Sequence, residues 1–83
     1  FSDDPGLLLT MRNNRGEVLR TMGRFDDAVR AYELALRDAR ALDSTVLEVR
    51  ILTNLASAQA RAGRLDAATA TLGRGLRLAA GPD

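Results

Sequence analysis

Gly23-Arg24-Phe25-Asp26-Asp27-Ala28 returns forty residues later as Gly63-Arg64-Leu65-Asp66-Ala67-Ala68. Phe25 and Leu65 are both large and apolar, so the match is chemical as well as literal. Sliding the chain on itself by 40 residues aligns 9–42 with 49–82 and gives eight identities. Besides the Gly, Arg, Asp and Ala of this block, they are Asn14/Asn54, Leu36/Leu76, Arg37/Arg77 and Ala39/Ala79. Scattered identities arise readily in a chain rich in Ala, Leu and Arg, but an ordered cluster of Gly, Arg, Asp and Ala does not. The chain is an internal repeat.

Each copy reads as a helix, a tight turn and a second helix. Asp4-Pro5 opens the first: Asp accepts backbone N–H bonds and Pro tolerates the first helical position. Leu8, Met11, Arg15, Val18, Leu19 and Met22 then recur at helical spacing, the stem of Arg15 able to join the stripe. Gly23 stops the helix, where a left-handed backbone costs Gly little. Asp26 and Asp27 fall in the first turn of the next helix, favoured by its dipole, and Ala28, Val29, Ala31, Tyr32, Leu34, Ala35 and Leu36 supply its apolar side. The second copy starts near Asp43-Ser44-Thr45, where Thr45 and Glu48 have capping-box spacing. Val46, Val49, Leu52, Leu55, Ala56 and Gln59 mark one face as far as Ala62, and Gly63 repeats the stop. A fourth helix over about Leu65 to Leu78 carries Ala68, Leu72, Gly75 and Leu76, and Gly81-Pro82 ends it. Gly73 and Gly75 each cost about 1 kcal/mol there relative to Ala, unless Gly75 marks a close helix crossing. No period-2 run predicts a strand.

The composition excludes much chemistry. The 83 residues hold no Cys and no His, and all twelve basic residues are Arg, so disulfide frameworks, zinc fingers, Schiff bases and phosphate loops built on lysine are out. Net charge is +1 and the aromatics are Phe1, Phe25 and Tyr32, which gives nucleic acid or a membrane surface little to bind. The longest apolar run, Leu7-Leu8-Leu9, is far short of the ~20 residues that cross a bilayer. The acidic pairs Asp26/Asp27 and Asp3/Asp4 sit at helix starts, and Ser57 has no histidine or lysine to activate it. The expectation is a cytoplasmic protein that is not an enzyme, carries no cofactor or metal, and has no nucleic-acid or membrane partner. A chain opening on Phe1 is expected to be processed, trimmed or a fragment.

The repeat resembles the tetratricopeptide repeat family. That family places a small residue in the first helix, Gly before the turn, a large apolar residue after it, then Ala, an aromatic and a further small residue. Gly16, Gly23, Phe25, Ala28, Tyr32 and Ala35 match in the first copy, and Ala56, Gly63, Leu65, Ala68, Leu72 and Gly75 more loosely in the second. The resemblance implies an all-α solenoid of two helix-turn-helix repeats, about 5–42 and 43–80, with four antiparallel helices and a right-handed superhelix. The period of 40 exceeds the family's usual 34 and is similar to the longer arrays of kinesin light chains and bacterial STAND-type regulators. The Pro that commonly closes a repeat is missing at Arg40 and Ala80. Stacks of this kind generally need at least three units. The expectation is therefore a segment of a longer array, with Leu65, Leu72, Leu76 and Leu78 partly bare on its last helix.

By the same resemblance, the first helix of each pair lines an inner groove where ligands bind. It implies groove-facing Thr10, Asn13, Asn14, Glu17, Arg20 and Thr21, with Arg50, Thr53, Asn54, Ser57 and Arg61 from the second copy. Asn14 and Asn54, one period apart, are expected to grip a peptide backbone, since an amide offers two donors and an acceptor. Arg20, Arg50 and Arg61 are expected to form a basic lining for a carboxylate. The chaperone-binding subset uses a Lys and an Asn one turn apart where Asn13 and Glu17 stand here, and Glu17 has the wrong charge for that specificity. The implied function is a scaffold that binds a partner peptide or helix. The alternatives are a regulatory segment of a larger bacterial ATPase or transcription regulator, and self-association through the uncapped last helix.

Overall fold

The computed structural model describes residues 4–81. Four helices follow one another: α1 (Pro5–Thr21), α2 (Phe25–Ala41), α3 (Thr45–Arg61) and α4 (Leu65–Ala80). Phe1, Asp3 and Pro82, to which the sequence analysis gave roles, lie outside the described residues, and among the described residues there is no strand.

Local chemistry sets the boundaries. The Asp4 carboxylate accepts the Gly6 N–H at 3.0 Å with Pro5 at the first helical position. Gly23 and Gly63 follow α1 and α3 in the left-handed region, at φ +80° and +85°. They let the next N–H groups turn back: Arg24 N donates to Leu19 O at 2.9 Å and Arg64 N to Gln59 O at 2.8 Å. The middle junction makes the same turn without glycine, placing Asp43 at φ 53°. The cap of α3 differs from expectation. Thr45 is already helical, and the Ser44 hydroxyl accepts the Leu47 N–H at 3.2 Å. Glu48 thus lies one residue too far along for a capping box and takes the Arg40 Nε donor at 3.2 Å instead.

Each helix packs on its neighbours in sequence, α1 on α2, α2 on α3, and α3 on α4, in a slab of 40 × 30 × 13 Å. The two central helices provide the deepest side chains, Val29 and Tyr32 from α2 with Ile51 and Leu52 from α3. Leu9 and Leu19 close the core from α1. The stripe of Met11, Val18 and Met22 read from the sequence is exposed, as are Val46 and Leu34. Leu65, Leu72 and Leu76 on α4 are bare as expected, whereas Leu78 packs against the core.

Packing requires glycine at one of two positions inside the helices, Gly16, and not at the other, Gly75. A Cβ at Gly16 would sit 2.6 Å from Tyr32 Cε1, so the ring lies directly on the α1 backbone. A Cβ at Gly75 would meet only the Leu52 Cβ at an ordinary 3.7 Å, so no close crossing occurs there.

Candidate partner-binding face

Helical spacing of three and four puts Asn13, Asn14, Glu17 and Arg20 along one side of α1, and Arg50, Asn54, Ser57 and Arg61 along one side of α3. The two rows meet at one point: Asn54 Nδ2 donates to Asn13 Oδ1 at 3.0 Å. Both amides are half-buried. The bond uses one donor of Asn54 and one acceptor of Asn13, leaving the Asn13 NH₂ and the Asn54 oxygen with capacity. Asn14, the repeat equivalent of Asn54, stands exposed one residue along from Asn13.

Glu17 is committed inward. The Tyr32 hydroxyl, on a fully buried ring, donates to Glu17 Oε1, and Arg20 Nη2 donates to Oε2 at 2.7 Å. These contacts, the tyrosine first and the guanidinium second, hold the Glu17 carboxyl below its ordinary 4.5. Burial, and then donation to Glu17, push the Tyr32 hydroxyl up to about 12. Placing an acceptor over a buried phenol explains an acidic residue at 17 without any ligand.

The three arginines do not form one lining. Arg20 is paired with Glu17, and the Arg61 guanidinium lies over the Phe25 ring, 5.7 Å from its centroid, as a cation–π contact. Arg50 lies eleven residues before Arg61, about 16 Å along the axis at 1.5 Å per residue. Arg50 and Ser57 are exposed. The threonine hydroxyls expected on this face, those of Thr10, Thr21 and Thr53, donate to the carbonyls of Gly6, Glu17 and Val49, one turn back along their own helices.

Three polar features were not foreseen from the sequence. Arg12 Nη1 reaches both oxygens of the buried Asp38, at 2.9 and 3.1 Å, and ties α1 to α2. The Thr71 hydroxyl donates to Gln59 Oε1 at 2.7 Å inside the α3–α4 contact. A cleft of about 460 Å³ between α1 and α2 is lined by Arg12, Arg15, Arg24, Arg30 and Asp27. Asp27 pairs with Arg24 and Arg30 and offsets one of the cleft's four positive charges, and these contacts hold the Asp27 carboxyl below its ordinary value, Arg24 being the main cause. Five arginines fall between 12 and 30, and four of them, all but Arg20, line this cleft.

Among the described residues, no three carboxylates converge as a metal site, and no helix is long and apolar enough to cross a membrane. The face can form hydrogen bonds, ion pairs and stacking contacts. A family model described as tetratricopeptide repeat matches residues 7–80. No curated protein and no solved structure matches the chain.

Proposed function

This chain belongs to the tetratricopeptide repeat family, and from that premise we propose that it binds a segment of a partner protein across the face shared by α1 and α3. Repeats of this family generally mediate protein–protein interaction and are typically non-catalytic scaffolds. The observation that carries the proposal is the Asn54–Asn13 bond, which joins the two helices into one polar surface with unused amide capacity at its centre. An extended peptide presents alternating N–H and C=O groups, and the free Asn13 NH₂ and Asn54 oxygen complement one of each.

Arg50, Ser57 and Asn14 make no side-chain bond among the described residues and are exposed around that centre. Arg50, exposed and without an ion-pair partner among the described residues, biases the face toward a peptide carrying a carboxylate. Two repeats, about 5–42 and 43–80, form the binding unit, as a segment of a longer array.

Selection from a random peptide display library on the immobilised 83-residue chain tests this reading. Acidic peptides are expected to be enriched, and fluorescence anisotropy is expected to show at least tenfold weaker binding to Arg50→Ala and Ser57→Ala/Asn14→Ala. These side chains hold nothing internal, so the fold remains. Failure to enrich any peptide, or equal affinity for all the variants, would reject the assignment.

A further inference from the structure

We propose that the partner segment carries two carboxylates on one side of an extended chain, one met by Arg50 and the other by Arg61, with its backbone caught at Asn54 between them. The inference rests on the peptide-binding reading and specifies its ligand, an acidic peptide with its acids four positions apart. The residues involved lie on α3 and at the first position of α2, and α3 has a helix of the chain on either side.

The charge balance of the face sets the number of acids. Arg20, Arg50 and Arg61 stand against Glu17, the one acid in the two rows. Glu17 and Arg20 neutralise each other at 2.7 Å, so two positive charges remain, on Arg50 and Arg61. Neither makes an ion pair or a hydrogen bond among the described residues. In the first repeat their positions hold Thr10 and Thr21, whose hydroxyls bond their own helix, so the basic pair belongs to α3 alone. Arg61 is prepared for a carboxylate in a way that Arg50 is not. Its guanidinium lies over the half-buried Phe25 ring, 5.7 Å from the centroid. A free arginine loses side-chain freedom when it grips a ligand. The ring holds this one in place beforehand and consumes none of the N–H donors that meet a carboxylate fork to fork. Leu65 stands where Phe25 does in the second repeat, so this support exists only where α3 meets α2.

Spacing sets the register. Arg50, Asn54 and Arg61 follow one another on one side of α3, at separations of four and seven residues, or about 6 and 10 Å along its axis. Asn54 is pinned to Asn13 through its Nδ2. Among the described residues no buried side-chain nitrogen or oxygen lacks a partner, so the unbonded Asn54 Oδ1 is open to solvent and can accept a peptide N–H. An extended chain rises about 3.3 Å per residue and its side chains alternate between two sides. Residues four apart therefore share a side and span about 13 Å, and the two arginine side chains close the remaining gap of about 3 Å. Residues three or five apart point to opposite sides, where one arginine is left without its acid.

Three display libraries of nine-residue peptides test this on the immobilised 83-residue chain. One fixes Glu at the third and seventh positions, one at the third and sixth, and one at the third alone. The first is expected to yield binders about fivefold tighter than the others. Its best peptide then enters double-mutant cycles read by fluorescence anisotropy. Arg61→Ala is expected to weaken binding about fivefold and Phe25→Leu about two- to fivefold. Both effects vanish when one and the same Glu of the peptide becomes Gln, while the effect of Arg50→Ala vanishes with the other Glu. Arg61→Lys keeps the charge without the planar fork and is expected to fall between wild type and Arg61→Ala. Arg61 is exposed, so its two variants carry the test even if Phe25→Leu disturbs the fold. Binders without preference for spacing would overturn the inference, as would an Arg61→Ala effect that is absent or independent of both Glu residues. In those cases weaker binding to Arg50→Ala still upholds the binding face. Binders from none of the libraries would overturn both readings.

Discussion

Gly16→Ala is a test of how α1 meets α2. Alanine is the better helix former by about 1 kcal/mol, so in an open helix the change would stabilise. Here the new Cβ would stand 2.6 Å from Tyr32 Cε1 and 2.8 Å from Cδ1 and Cζ. Carbon atoms rest at about 3.5–4.0 Å, so the ring must withdraw by about 1 Å. It has no free space, being fully buried, and its hydroxyl is anchored on Glu17. Overpacking of this kind costs about 1–3 kcal/mol, and straining a hydrogen bond to a charged acceptor forfeits part of its roughly 1.5–3 kcal/mol. Less the propensity gain, the net loss is about 2 kcal/mol, or roughly 8–16 °C in thermal midpoint for a domain of this size. Gly75→Ala is the control: with its nearest neighbour at 3.7 Å, it is expected to stabilise by roughly 0.5–1 kcal/mol. The second repeat already combines Ala56 with Leu72 at the matching positions. Gly16→Ala/Tyr32→Leu should therefore lose less than the sum of its parts, with a coupling of about 1 kcal/mol or more in urea melts. If Gly16→Ala melts at or above the wild-type temperature, the ring does not lie on the α1 backbone and this account of the glycine fails.

Three further perturbations follow from the same structure. Arg12→Ala leaves Asp38 buried without its guanidinium and is expected to cost about 2–4 kcal/mol. Arg12→Leu/Asp38→Leu, which copies Leu52 and Leu78 of the second repeat, should recover most of that in chemical denaturation. Tyr32 is the single tyrosine in a chain without Lys or Cys, so it alone titrates between its ordinary 10 and about 12. Its folded value is raised, so its contribution to stability is complete below pH 10 and is lost as pH climbs toward 12. Tyrosinate absorbance should follow the falling thermal midpoint, and Tyr32→Phe should flatten that limb. Glu17 has the opposite sign: its lowered value contributes above 4.5 and is lost as pH falls below it, alongside the similarly lowered Asp27. Asp43→Gly removes the side chain from a left-handed backbone and should raise the thermal midpoint by a few degrees, consistent with roughly 1 kcal/mol or less.

The helices and their order were legible because their signals are local. Asp4-Pro5, Gly23 and Gly63 act within one turn of chain, and the 40-residue return of Gly-Arg-x-Asp exposes the repeat without any knowledge of packing. The same reasoning placed the middle junction near Asp43-Ser44-Thr45 but not its left-handed backbone, because the residue that adopts it is Asp43 and not a glycine. On the proposed binding face, helical spacing was enough to put Asn13 and Asn54 on the same side as Glu17 and Arg50. Spacing carries no information about which partner each side chain takes. Glu17 reads as a groove acid until the buried hydroxyl of Tyr32, fifteen residues away, claims it. Asn54 takes Asn13 as its partner and leaves its repeat equivalent Asn14 exposed, a choice that a shared side of one helix does not encode. The core was misread for a related reason. Met11, Val18 and Met22 form a proper helical stripe, yet they are exposed while Ile51 and Ala58, forty residues on, are buried. A repeat makes two positions alike in sequence, but burial depends on what lies on the far side of each. The first repeat has a neighbour at its trailing side and the second has one at its leading side, so equivalent residues end in opposite environments.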